Sequence, residues 1–153
     1  CAVRRGLSLA ARFALLCVAS AEPEPIGRHV RAPSECIEYA RLLPQVVAAL
    51  RVGSDVRGAD AGEVEPSQAA QAWLDLIERC DGLRKPDRFL GLIETAQCVL
   101  EGVDAQAWSQ RLQVVRGIDA GAIAKACKGG PEQIKTALKE ARLKALAESA
   151  LLG

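Results

Sequence analysis

Residue types that could carry chemistry are few in this chain, and they are scattered. It has one histidine, His29, in a segment rich in Pro, Gly and Arg. A single imidazole cannot supply a two-histidine metal site, and no Ser or Cys lies in a recognisable nucleophile turn for it to activate. Glu63 and Glu65 are neighbours, but their Gly- and acid-rich surroundings would not hold two carboxylates rigidly enough for acid–base work. No Gly-rich phosphate loop follows a strand, because no strand is legible. These observations predict no catalytic residue and no metal ligand. What remains is positive charge. Lys128, Gly129, Gly130 and Pro131 lead into a helix whose free N–H groups and dipole favour an anion. Lys135, Lys139 and Arg142 follow at i, i+4, i+7 spacing and so share a helical face. Such a row suits phosphates, which position a nucleic acid without reading its sequence. Arg84, Lys85 and Arg88 bracket Pro86 and form a second basic cluster. The competing reading is ordinary solvated helix surface, with Glu132–Lys135 and Glu140–Lys144 pairs on the first face and Asp81 and Asp87 neutralising the second.

Net charge is +1, which gives the whole chain no strong pull toward nucleic acid, but the charge is unevenly spread. Residues 1–31 carry five Arg against two Glu, residues 32–124 nine basic against fourteen acidic residues, and residues 125–144 six basic against two acidic. Six cysteines lie at 1, 17, 36, 80, 98 and 127, with no CxxC pair. Several fall in helical apolar patterns, as small hydrophobes do, so reduced thiols and a cytoplasmic location are expected rather than a disulfide framework or a zinc site. No run of about 18 apolar residues is present to span a membrane. Residues 7–19 loosely mimic a signal peptide, but Arg12 interrupts them. The chain opens at Cys1 rather than Met, which reads as a piece of something longer.

The elements that must position these charges are helices. Half of the 153 residues are hydrophobic but only five are aromatic; Ala and Leu fill the apolar quota, and both lose little freedom in a helix. An all-α fold follows, a compact bundle of about seven short helices. Leu9, Phe13, Leu16 and Cys17 mark the core stripe of a first helix over 7–19, stopped by Pro23 and Pro25 in an extended linker. A second helix starts at Pro33-Ser34 and runs to about Arg51, kinked or divided at Pro44. Residues 52–65 read as a loop. Pro66 opens a helix with core residues Ala70, Trp73, Ile77 and Cys80, closed by Asp81-Gly82 with Gly82 in the left-handed position. Pro86 opens another, with Phe89, Leu92, Ile93, Ala96 and Leu100 inward. Asp104 and Asp119 cap two more, the first containing Trp108, Leu112 and Val115. The last helix, from Pro131, turns Ile134, Leu138, Ala141 and Ala145 inward. Both tryptophans fall on apolar stripes and read as core rather than as base-stacking platforms.

Several stretches together resemble bacterial class II tRNA nucleotidyltransferases, the CCA-adding enzymes, C-terminal to their catalytic head. Glu78 to Phe89 (ERCDGLRKPDRF) is the strongest match. Arg31 to Leu42 resembles an earlier helix of that family, and Gly117 to Leu146 its C-terminal end. Arg12-Phe13-Ala14-Leu15-Leu16-Cys17 resembles the helix that in many relatives leads into the His-Asp pair of an HD phosphohydrolase domain. Val18 and Ala19 follow instead, and they carry no ligand atoms. The resemblance therefore implies a subgroup with CCA addition and a degenerate HD region. It divides the chain into an HD-like helical remnant (1–51), a linker (52–65) and a tRNA-binding body and tail (66–153). It implies that the parent enzyme uses Mg²⁺, CTP and ATP on an N-terminal nucleotidyltransferase head, and that this chain binds none of them but holds tRNA. Oligomeric state is left open. A helical protein-interaction module without nucleic-acid binding is the alternative, and a degenerate HD enzyme with residual metal chemistry a further one that a single histidine opposes.

Overall fold

The computed structural model describes residues 1–58 and 65–151, with the backbone alone at 52–58 and 150–151. Among them are eight helices and no strand: α1 Leu9–Cys17, α2 Pro23–His29, α3 Ser34–Gly58, α4 Pro66–Arg79, α5 Pro86–Ala96, α6 Ala105–Arg116, α7 Ala120–Ala126 and α8 Pro131–Leu151. α1, α2 and α5 pack on α3, and α4, α6 and α7 pack on α8. α5 also meets α6, and α3 meets α4, so the two groups share one apolar core. Its largest fully buried side chains include Phe89, Leu42, Leu43, Leu74, Ile77, Leu92, Ile93, Leu112 and Leu146. The Phe89 and Trp108 rings meet edge to face at 5.8 Å.

The capping side chains act where the sequence suggests. Asp104 accepts from the N–H groups of Gln106 and Ala107 at 2.9 and 3.0 Å, and Asp119 from that of Ala122 at 3.0 Å. Ser8 does the same for α1 through Ala11.

Several expectations need correction. Pro23 and Pro25 open α2 instead of stopping α1: both lie in its first turn, where a missing N–H costs no intrahelical bond. His29 therefore ends a helix. α3 runs through Pro44 as one helix and continues to Gly58, so the expected loop does not begin at residue 52; residues 59–64 lie outside the described part. α1 is rotated from its expected face. Ala10, Ala11, Ala14 and Cys17 are buried against α3, while Leu9 and Leu16 are exposed. Finally, the cysteines are not all reduced: Cys1 and Cys98 are joined, their Cα atoms 5.6 Å apart. A pairing across 97 residues leaves no local mark in a sequence.

The ends of α2 and α4 share one geometry. At α4, the Gly82 N–H bonds to Ile77 O (2.7 Å) and the Asp81 N–H to Glu78 O (2.9 Å), with Asp81 left-handed at φ 54°. This is a Schellman end, but its left-handed residue is Asp81, not Gly82. Gly82 is needed for space: a Cβ there would lie 3.1 Å from both Ile77 O and the Phe89 ring. At α2 the Ala32 N–H bonds to Gly27 O and the Arg31 N–H to Arg28 O, with Arg31 at φ 53°. Arginine is a poor occupant of that position, because its Cβ crowds the following carbonyl. Arg31→Gly is expected to stabilise the protein by about 1 kcal/mol and to raise Tm by about 2–4 °C. A calorimetric scan showing no rise, or a fall, would contradict this account of the α2 end.

Candidate nucleic-acid interface

The cations picked out in the sequence fall into two structural groups. Arg88 lies in the first turn of α5 with its side chain only 13% exposed. Its Nη2 donates to the Cys80 carbonyl at 2.9 Å, one of the last carbonyls of α4, and its Nη1 lies 3.3 Å from Glu38 Oε2 on α3. The same Glu38 oxygen accepts from Arg41 Nη2 at 3.1 Å, and Arg41 Nε reaches Glu24 on α2 at 3.6 Å. Asp81 lies 4.0 Å from Arg88 and 3.9 Å from Arg84. Alternating charges thus connect α2, α3, α5 and the α4–α5 turn, and Arg88 is the member that ties three elements together.

Arg142 is likewise committed. Its side chain is 19% exposed, turned from α8 toward α4, where Nη1 lies 3.4 Å from Glu78 Oε1. It does not project with Lys135 and Lys139. The i, i+7 spacing holds along the helix, but a carboxylate 64 residues away draws the guanidinium out of the row.

The remaining cations are open. Lys128, Lys135 and Lys139 are exposed and have no ion-pair partner among the described residues. Lys144 pairs with Glu148 at 4.0 Å rather than with Glu140. Arg84 is 82% exposed, and Lys85 is exposed beside it. These two border a cavity of about 490 Å³ between the start of α3 and the α4–α5 turn, whose walls also include Ser34, Glu35, Glu38, Asp87 and Arg88. Three carboxylates against three cations leave that cavity without net positive charge. At the start of α8, the Gln133 side chain occupies the space that a Cβ on Gly129 would need, and Gly130 O accepts from the Gln133 and Ile134 N–H groups. Glu132 is exposed in the same turn. Positive charge therefore comes from the lysines rather than from a built anion cradle.

The aromatic residues behave as core. Trp108 is buried, and half-buried Trp73 is covered by the Arg111 guanidinium, 3.9 Å above its ring. Buried Cys17 and Cys80 have thiols pushed up by burial, Cys80 to about 11 despite the opposing fields of Arg88, Arg79 and Arg41, and are chemically quiet. No three His, Cys, Asp or Glu side chains converge as a metal site among the described residues.

Over 95% of its length the chain is 50% identical to the CCA-adding enzyme of Bordetella pertussis, across 145 residues. The chain is homologous to a part of the CCA-adding enzymes. It is 34% identical over 173 positions to the multifunctional CCA protein of Burkholderia cenocepacia, and 32% identical over 167 to that of Cupriavidus necator. It spans only 36% of the Bordetella protein's length and 40–41% of the other two. The 173 aligned positions exceed this chain's 153 residues by 20, so the Burkholderia protein carries additional residues inside the matching region. No protein-family model and no solved structure matches the chain. No helix among the described residues is long and apolar enough to cross a membrane.

Proposed function

We propose that this chain is a tRNA-holding, C-terminal helical portion of a CCA-adding tRNA nucleotidyltransferase in the cytoplasm, its catalytic head lying elsewhere on the same polypeptide. The observation that carries this reading is the 50% identity to the Bordetella CCA-adding enzyme over a stretch of 36% of that protein. The parent enzyme would draw on CTP, ATP and Mg²⁺. Nucleotide transfer is assigned to the rest of the polypeptide. The multifunctional relatives have additional residues in the matching region, which supports reading this chain as a subgroup without HD chemistry. In a reducing cytoplasm Cys1 and Cys98 would stand as two thiols at the same place.

Lys128, Lys135 and Lys139, together with Arg84 and Lys85, would contact RNA phosphates. A-form RNA displays phosphates and 2′-hydroxyls rather than readable major-groove edges, so recognition by shape and charge is expected. Arg88 and Arg142 would act indirectly, by holding the helices that carry those groups. In the complete polypeptide, replacing Lys128, Lys135 and Lys139 together by alanine should weaken tRNA binding. It should also flatten the dependence of log K on log salt by roughly 0.7–0.9 for each phosphate no longer engaged. An unchanged slope removes this face from the binding surface. Arg142→Ala serves as the contrast: it should lower stability and leave the slope alone.

A further inference from the structure

α1 buries its small residues and exposes its large ones. Ala10, Ala11, Ala14 and Cys17 are packed inward, whereas Leu9 is 68% exposed and Leu16 84%. Leu9, Phe13 and Leu16 follow at i, i+4, i+7, an apolar stripe in which Leu9 and Leu16 are exposed and half-buried Phe13 packs in part against the core. Arg12 lies on the same face. Its Nε donates to Leu7 O at 2.9 Å, but no carboxylate pairs with it, nor with exposed Arg4 in the preceding turn, among the described residues. The stripe is also held in position. Arg5 Nη1 donates to Gln97 Oε1 at 2.5 Å and ties the turn before α1 to the end of α5, where Cys1 and Cys98 also meet.

We infer that this face is an intramolecular seam, covered in the complete protein by an apolar, acid-flanked segment of the same polypeptide outside these 153 residues. The occupant follows from three observations. The match spans only 36% of the Bordetella protein, so most of a polypeptide of that kind lies outside this chain; to that extent the inference rests on the proposed function. Unpaired Arg4 and Arg12 call for carboxylates on whatever covers them. A second copy docked through a two-fold axis would bring the same patch, and residues 1–19 hold no carboxylate to meet those arginines. The stripe, on the order of a few hundred Å², is also below the roughly 800 Å² per partner of a stable two-chain interface. It suffices for a tethered segment, whose effective concentration is on the order of millimolar.

The test is site-resolved maleimide labelling of Leu16→Cys in the complete polypeptide, read by peptide mass spectrometry. Ala72→Cys, exposed on α4, is the reference. Leu16→Cys should react about tenfold more slowly than Ala72→Cys, at every protein concentration and with or without tRNA. Equal rates would overturn the seam. Protection that appears only at high protein concentration would assign the face to a second copy, and protection only with tRNA would assign it to RNA; either result overturns the inference. The readout does not depend on the lysine face, so a failed salt-slope experiment leaves it intact.

Discussion

Arg88→Ala is expected to lower stability by about 2–4 kcal/mol, with a matching fall in the urea midpoint and no change in the salt slope of tRNA binding. The side chain is 13% exposed, and its charge is shared between Glu38 and the end of α4. Truncation strands the Cys80 carbonyl, leaves Glu38 with Arg41 alone, and opens the junction among α3, α4 and α5. The figure is set below that of a fully buried pair because Glu38 is 42% exposed and water can still reach it. Arg88→Lys should recover only part of the loss, since one ammonium cannot span two partners held by the guanidinium fork. A change under about 0.5 kcal/mol in Arg88→Ala would mean that the ion-pair chain holds nothing together. A flattened salt slope at unchanged stability would instead return Arg88 to the RNA surface.

That contrast shows what a sequence can and cannot disclose about this site. The stretch Glu78–Phe89 carries the family resemblance, and Arg88 stands out in it as a cation. Its partners Glu38 and Cys80 are 50 and 8 residues away, and only the assembled fold decides whether a cation faces solvent or a carboxylate. Arg142 differs from Lys135 and Lys139 for the same reason. The helices α4 to α7 are legible because their signals are local: Pro66 and Pro86 at the starts, Asp104 and Asp119 as caps, and apolar residues at three- and four-residue steps. α2 is hidden because proline in a first turn and proline as a breaker look alike in a sequence. The face of α1 escapes a reading by side-chain size, because size is a poor guide to burial there. Close packing on α3 selects alanine and leaves the leucines outside, and that reversal is what points to a further covering segment.

Alkaline pH offers a second large effect, centred on the same junction. Burial raises the Cys80 thiol to about 11 from an ordinary 9.0, with Arg88, Arg79 and Arg41 opposing the rise only in part. Well below pH 9 both folded and unfolded chains keep the proton, and the group contributes no pH dependence. Between pH 9 and 11 the unfolded chain releases it while the folded chain retains it, so the unfolded state binds fewer protons and stability falls as pH rises. Two pH units of mismatch correspond to a loss of roughly 2–3 kcal/mol by about pH 11. The Tyr39 hydroxyl is raised as well, first by burial and then by Glu35, and extends the loss above pH 10. Cys80→Ala introduces a small cavity and lowers stability at neutral pH, so the informative quantity is the difference between stabilities at about pH 8.5 and about pH 11. That difference should shrink by most of the roughly 2–3 kcal/mol in Cys80→Ala, and by a smaller amount in Tyr39→Phe. Parallel pH profiles for wild type and Cys80→Ala would mean that the thiol is hydrated in the folded protein, and the packing described around the α4–α5 junction would then be wrong.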